Sequence, residues 1–242
     1  MKAVILAAGR GTRLGDLTKD TPKPMILVAG KPVLEHKIDA LISIGIKEYV
    51  LVTRYLPERI MDYFKDGSHL GINIQYAPQG EKYGTGAAMM EAYPFIGDHE
   101  VMMTFGDIVC PAKNYKNALD TYNQTNADAL VGLNWVAEPW KGSSILVDES
   151  GRLTKVIEKP KKEEVISHWN SAGIFVFKPL VFDYLKRLKP SARGEYEITD
   201  TLNDLINDKY KVQGYFLEGA WNDIGTLEDL KRTEEMFAKG EL

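Results

Sequence analysis

A single cysteine, Cys110, stands among the 242 residues. One thiol excludes an intrachain disulfide and fits a reducing compartment. Long apolar segments and a signal-like N-terminus are both missing, so neither export nor a membrane partner is expected and the chain reads as cytoplasmic. Charge is nearly balanced at −4. That argues against nucleic acid as a main partner and leaves basic side chains to act locally on a small molecule. The four histidines, at 36, 69, 99 and 168, lack metal-ligand spacing, and no Ser/His or Cys/His nucleophile pairing is visible. A GxxxxGK[ST] loop is absent. Glycines at 9, 11 and 15 make GxGxxxG rather than the GxGxxG of a dinucleotide turn, which weakens an oxidoreductase reading. With no repeat, low-complexity tract or linker, residues 1–242 are expected to form one domain.

What is present is a chain with 44% hydrophobic residues, enough for a full core. Short apolar runs at 3–8, 48–53, 72–77 and 100–105 read as buried strands. Between them, Val33, Leu34, Ile38, Leu41 and Ile42 recur at helical spacing up to Gly45, and Ile60, Met61 and Phe64 do so before Gly67. This alternation predicts a three-layer, Rossmann-like α/β fold: a mixed, mostly parallel sheet with helices on both faces. Further on, "SSILVDESGRLTKVIEKP" predicts a hairpin turning at Glu149, Ser150 and Gly151. "SAGIFVF" and "VQGYFL" read as strands, with helices at about 180–188 and 199–208 and a last helix opened by the capping box "TLED". Met89 and Met90 read as core, and Cys110 as a small semi-buried side chain.

The first strand runs into "LAAGRGTRLGDLTKDTPKPM". Such a turn is either a tight strand-to-helix connection or an anion site. Arg13 and the proline-flanked Lys23 favour the second, because backbone N–H groups with two cations suit a triphosphate. Asp107 follows a strand at its carboxyl end, where open parallel sheets bind ligands, and Asp223 lies between a strand and a helix. Each could equally be a turn or cap aspartate. If the fold brings them together, the pair can hold one Mg²⁺.

"LAAGRGTRL" with "PKP" resembles the sugar-phosphate nucleotidylyltransferases, which join a nucleoside triphosphate to a sugar 1-phosphate and release pyrophosphate. The resemblance continues in order through "QGEKYGTGAA", "FGD", "EKP", "NSAG", "LKPSARGEYEITD" and "WNDIGT", covering nearly the whole chain. It implies a nucleotide site from Leu6, Ala8, Gly9, Gly11, Thr12, Arg13, Lys23, Gln79, Gly84 and Thr85, with Gln79 and Gly84 around a pyrimidine. It implies Mg²⁺ on Asp107 and Asp223, Lys159 on the sugar phosphate, and Glu158 and Asn170 on sugar hydroxyls. Gly142 and Trp221 would complete a sugar site beside the hairpin. Arg13, Lys23, Asp107, Lys159 and Asp223 would carry catalysis. Otherwise Glu158 and Lys159 are an exposed pair and Trp221 a core residue.

The implied substrates are UTP or dTTP with, first, glucose 1-phosphate. "LAAG" and "GTGA" look uridylyltransferase-like, whereas "SARGEYEITD" looks thymidylyltransferase-like. The alternatives are CTP- or GTP-dependent transfer and a catalytically silent, nucleotide-sugar-binding regulatory subunit. Lys141-Gly142 stands where the family usually has Tyr-Gly, which bears on the choice of sugar. Family members are often homo-oligomers. The chain ends soon after its last helix, so no appended acyltransferase repeat is expected.

Overall fold

The computed structural model describes all of residues 1–242. In chain order the strands are β1 (Lys2–Leu6), β2 (Leu27–Val28), β3 (Lys31–Pro32), β4 (Glu48–Thr53), β5 (Asn73–Pro78), β6 (Val101–Phe105) and β7 (Ile108–Val109). They continue as β8 (Ala129–Trp135), β9 (Ser143–Val147), β10 (Leu153–Glu158), β11 (Trp169–Phe177), β12 (Val212–Phe216) and β13 (Asn222–Asp223). The helices are α1 (Val33–Ser43), α2 (Pro57–Phe64), α3 (Thr85–Glu91), α4 (Tyr93–Ile96), α5 (Lys113–Thr125), α6 (Val181–Leu185), α7 (Ile198–Asn207) and α8 (Leu227–Ala238).

Seven strands make one sheet in the order β12-β8-β11-β6-β1-β4-β5. Neighbours are parallel except around β11, which runs antiparallel to both β6 and β8. The β9–β10 hairpin explains the reversal. It leaves from the end of β8 and returns the chain near its point of departure, so β11 has to run back. The expected mixed, mostly parallel α/β sheet is therefore what forms.

Alternation along each strand sends neighbours to opposite faces, and here both faces are buried. Ala3, Ile5, Tyr49, Leu51 and Met102 pack under α1, α2 and α5. Val4, Val50, Val52, Val101 and Met103 pack under α3, α6, α7 and the hairpin. Strands buried twice over carry the near-continuous apolar runs seen in the sequence. Met89 is fully buried, as expected. A third, small cluster of Val28, Val33, Val109 and Ile224 seats α8 through Leu230 and Phe237. None of the helices is long and apolar enough to cross a membrane.

Among the boundaries that differ from the sequence pattern, two have a local cause. The first strand stops at Leu6 rather than 8, where the glycine-rich turn begins. The helix expected over 180–188 is only Val181–Leu185. Arg187 and Leu188 bond to carbonyls three residues back, a tightened last turn, and Pro190 disfavours helical geometry at the residue before it.

The α8 capping box forms as predicted: Asp229 N–H donates to the Thr226 hydroxyl at 3.2 Å, and the Asp229 carboxylate accepts from Thr226 N–H at 2.9 Å. Thr226→Ala removes one half of this exchange and is expected to cost about 1 kcal/mol. Urea denaturation measures the loss.

Candidate active site

The sheet's carboxyl ends open into a cleft of about 380 Å³ between the β1 loop, the loop before α3, the hairpin end and the segment before α7. Asp107 and Asp223 meet in it. The reason is a two-residue ladder in which β13 pairs antiparallel with β7, placing Asp223 opposite Ile108, and Ile224 N–H donates to the Asp107 carbonyl at 3.0 Å. Residues 116 positions apart in sequence are thus main-chain neighbours.

Lys23 lies between the two carboxylates. Its ammonium donates to Asp107 at 2.6 Å and to Asp223 at 3.4 Å, with only 9% of the side chain exposed. Pro22 is extended and Lys23–Met25 form a single tight turn, so the flanking prolines direct the side chain inward. Burial works against the ammonium. Asp107 and then Asp223 outweigh it and hold Lys23 above the ordinary lysine range. Burial and the Asp107 carboxylate push Asp223 above the usual carboxylate range, against the pull of Lys23 and Arg13.

The donor chemistry fits a hard divalent cation. Two carboxylates border an open cleft, one of them made harder to ionise by the other. No cluster of three or more His, Cys, Asp or Glu suited to a metal occurs in the chain. A cation held by only these two would have to take its remaining positions from oxygens outside the protein, as Mg²⁺ commonly does.

The glycine-rich loop is only partly what the sequence implied. Leu6, Ala8 and Gly9 line the cleft, and the backbone N–H groups of Ala8, Gly9, Arg10 and Gly11 have no protein acceptor. These are free donors for an anion. Gly11, Thr12 and Arg13 do not line the cleft itself. Gly11, at φ +72°, lies on the stem of Lys23, where a Cβ would come within 2.8 Å of the lysine Cβ. Its glycine is needed for that approach. Arg13 lies against Gly225 and within electrostatic reach of Asp223, at the rim.

Gln79, Gly84 and Thr85 all line the cleft. The close backbone approach at Gly84, however, is to the protein: at φ +126°, a Cβ would sit 2.3 Å from the Tyr196 carbonyl oxygen. Gly86 N–H donates to that carbonyl at 2.8 Å, and the Thr85 hydroxyl accepts from Ile198 N–H at 3.0 Å. Thr85 thereby caps α7, whose own N-cap residue, Glu197, makes no such bond. The Gln79 side-chain amide donates to the Lys82 carbonyl at 3.3 Å, leaving its own carbonyl free.

At the other end, Glu158, Lys159 and Trp221 line the cleft as expected. Lys159 has φ +41°, an uncommon conformation for a non-glycine residue. Its N–H is tied to the Gly142 carbonyl at 2.6 Å. Trp221 donates to the Ala172 carbonyl at 3.0 Å. Gly142 and Asn170 line the cleft too, but the Asn170 carboxamide is already engaged by the protein. Its carbonyl oxygen accepts from Ser143 N–H at 2.6 Å and from the Ser143 hydroxyl at 3.1 Å, while its amide donates to Ser171 and Asn134. A side chain so engaged positions the hairpin strand. A Cβ on Gly142 would meet that oxygen at 2.4 Å, so Gly142 is fixed by Asn170.

Sequence reasoning missed Arg193, Glu195 and Glu197, which also line the cleft. The guanidinium of Arg193 pairs with Glu195 at 2.8 Å and Glu197 at 3.4 Å. "SARGEYE" was visible as part of a motif, but nothing in its spacing says that it folds over residues 83–86. Burial, then the Glu197 carboxylate, pushes Glu158 up to about 7.

A family model described as "Nucleotidyl transferase" matches residues 2–239. The chain is 40% identical over 241 residues to the bifunctional protein GlmU of Methanococcus maripaludis, covering 98% of this chain and 54% of that protein. It is 35% identical over 239 residues to UTP–glucose-1-phosphate uridylyltransferase AglF of Haloferax volcanii, covering 97% and 96%. A Bacillus anthracis structure described as a glucose-1-phosphate thymidylyltransferase superposes with TM-score 0.88 at 27% identity, covering 98% and 94%. The chain spans about half the length of the GlmU relatives it matches and nearly all of AglF.

The shifted Glu158 has a signature in stability. The folded state keeps its proton up to about 7, while an ordinary glutamate releases it near 4.5. The folded form therefore binds more protons in that window, and stability from this group falls as pH rises from 4.5 to 7. Glu158→Gln is expected to flatten that fall, leaving only what other carboxylates contribute. Urea midpoints measured across the window test it.

Proposed function

The chain belongs to the nucleotidyl transferase family, and from that premise we propose that it condenses a nucleoside triphosphate, UTP or dTTP, with a sugar 1-phosphate, glucose 1-phosphate first, releasing pyrophosphate. One observation carries the reading: Lys23, Asp107 and Asp223 converge at the cleft between free loop N–H groups and an end lined by carboxylates. Residues 1–242 act as one nucleotidyltransferase domain. A cytoplasmic setting suits the free thiol and the substrates.

A sugar 1-phosphate is largely dianionic near neutral pH, its second pKa being about 6, so attack on the α-phosphorus needs no protein base. The work left to the protein is alignment and charge. The Ala8–Gly11 amides and Arg13 receive the triphosphate, and Lys159 holds the sugar phosphate. Glu158, protonated over part of the neutral range, can donate as well as accept at a sugar hydroxyl, with Glu195 and Glu197 beside it. Gln79 reads the base with its free carbonyl. Asn170 acts through Ser143, keeping the hairpin end in place.

The family generally uses a divalent metal. Here Asp107 and Asp223 would hold Mg²⁺, which when bound offsets the negative charge of the phosphates. Lys23 keeps the two carboxylates side by side and holds its own charge.

Pyrophosphate release, screened over five triphosphates and a panel of sugar 1-phosphates, tests the proposal. UTP or dTTP with glucose 1-phosphate is expected to lead, and silence with every pair would overturn it in favour of a binding subunit. Asp107→Asn and Asp223→Asn are each expected to lower kcat by several orders of magnitude with the fold intact, and the double variant to be little worse than the worse single one. Lys159→Ala is expected to raise KM for the sugar phosphate far more than for the triphosphate, because a charge-assisted contact is lost. Kinetics with each substrate varied in turn decide this, and the reverse order would remove Lys159 from the sugar phosphate.

A further inference from the structure

Asp223 sits on a strand of two residues, and a ladder that short is marginal by itself. Its neighbour Asn222 is fully buried. Adjacent residues of a strand face opposite ways, so Asn222 lies behind Asp223, against α8. There its amide nitrogen donates to the Asp229 carbonyl at 2.8 Å and to the Thr233 hydroxyl at 2.7 Å. Its carbonyl oxygen accepts from Arg232 Nε at 3.0 Å and from a terminal nitrogen of the same guanidinium.

Both donors and both acceptor positions of the carboxamide are in use. The chemistry also fixes its orientation, with two oxygens on one side and a guanidinium on the other. Arg232 is held in turn by Asp229 at 2.7 Å, and Asp229 closes the capping box of α8. The first turns of α8 thus grip the strand through the face opposite the Asp223 side chain.

We infer that Asn222, clamped by the Arg232 fork, is a positioning residue that sets the Asp223 carboxylate for a divalent cation. This rests on the proposed role of Asp107 and Asp223 as the metal-holding pair. Neither Asn222 nor Arg232 lines the cleft, so neither is assigned contact with substrate. Aspartate at 222 would not serve, because a carboxylate would oppose the Asp229 carbonyl and the Thr233 oxygen.

The test reads metal binding without turnover. Mn²⁺ is titrated into the whole protein and followed by electron paramagnetic resonance, beside thermal melting and kcat. Asn222→Ala and Arg232→Ala are expected to raise the Mn²⁺ Kd by roughly 10- to 100-fold, as loss of groups that orient metal ligands does. The pair should be non-additive, since both remove one contact. Arg232→Lys, which returns a charge and a donor without the fork, should fall between wild type and Arg232→Ala. If Asn222→Ala fails to fold, the half-exposed Arg232 still gives the reading. A lowered melting temperature with an unchanged Mn²⁺ Kd would show a merely structural clamp and overturn the inference. So would wild-type binding in Arg232→Ala while Asp223→Asn loses the ion. Should Asp223→Asn keep the ion, the metal-pair reading itself is what fails, and the positioning role falls with it.

Discussion

Two carboxylates brought together by main-chain pairing repel, and the protein surrounds that repulsion with cations. Asp107 and Asp223 are forced together by two residues of β-ladder and one further N–H bond to a carbonyl, so neither can swing its backbone away. Lys23, nearly buried beneath them, supplies one positive charge for two acids. That is enough to keep the pair folded and leaves it short of charge. Burial first, and the neighbouring Asp107 carboxylate after it, raise the affinity of Asp223 for a proton. A divalent ion or a proton can meet the same need, and only the ion also draws in phosphate oxygens.

The rest of the cleft follows from what the carboxyl ends of the strands carry. The β1 loop has to lie flat on Lys23, which glycine at 11 permits. The loop before α3 has to touch the backbone of Tyr196, which glycine at 84 permits. These two contacts fasten opposite walls, one to Lys23 and the other to the segment carrying Arg193, Glu195 and Glu197. Thr85 then caps α7 from another part of the chain, so the wall carrying Gln79 and the wall carrying Arg193 share a support. Displacing either loop would move both ends of the cleft.

The layered fold was legible because doubly buried strands write continuous apolar runs and helices write 3.6-residue spacing. Asp107, Lys159 and Trp221 were legible as motif residues placed at element ends. Other features were not, and for one reason: they depend on which segments meet. The sequence shows Asn170 as a polar residue in a strand, and only the pairing of β11 with β9's neighbourhood reveals that its carboxamide is spent on Ser143. Gly84 looks like a ligand contact until Tyr196 is folded against it. Arg193 and its two glutamates sit in an exposed-looking charged run. Asn222 carries no spacing signal at all, since its partners come from a helix whose register on β13 no periodicity encodes.

Both ends of the cleft carry both signs of charge, in different proportion. Free amides and Arg13 lie on the β1-loop side, where Lys23 stands against Asp107 and Asp223, whereas Glu158, Glu195 and Glu197 gather at the far end with Arg193 as a counter-ion. Lys159 stands beside Glu158 at the boundary, held by its unusual backbone angle. Free backbone donors stand at the first end and a surplus of carboxylate acceptors at the second, so the two ends differ in what they can bond. The net charge of −4 hides this difference, because steering by a cleft depends on where its charges stand rather than on their sum.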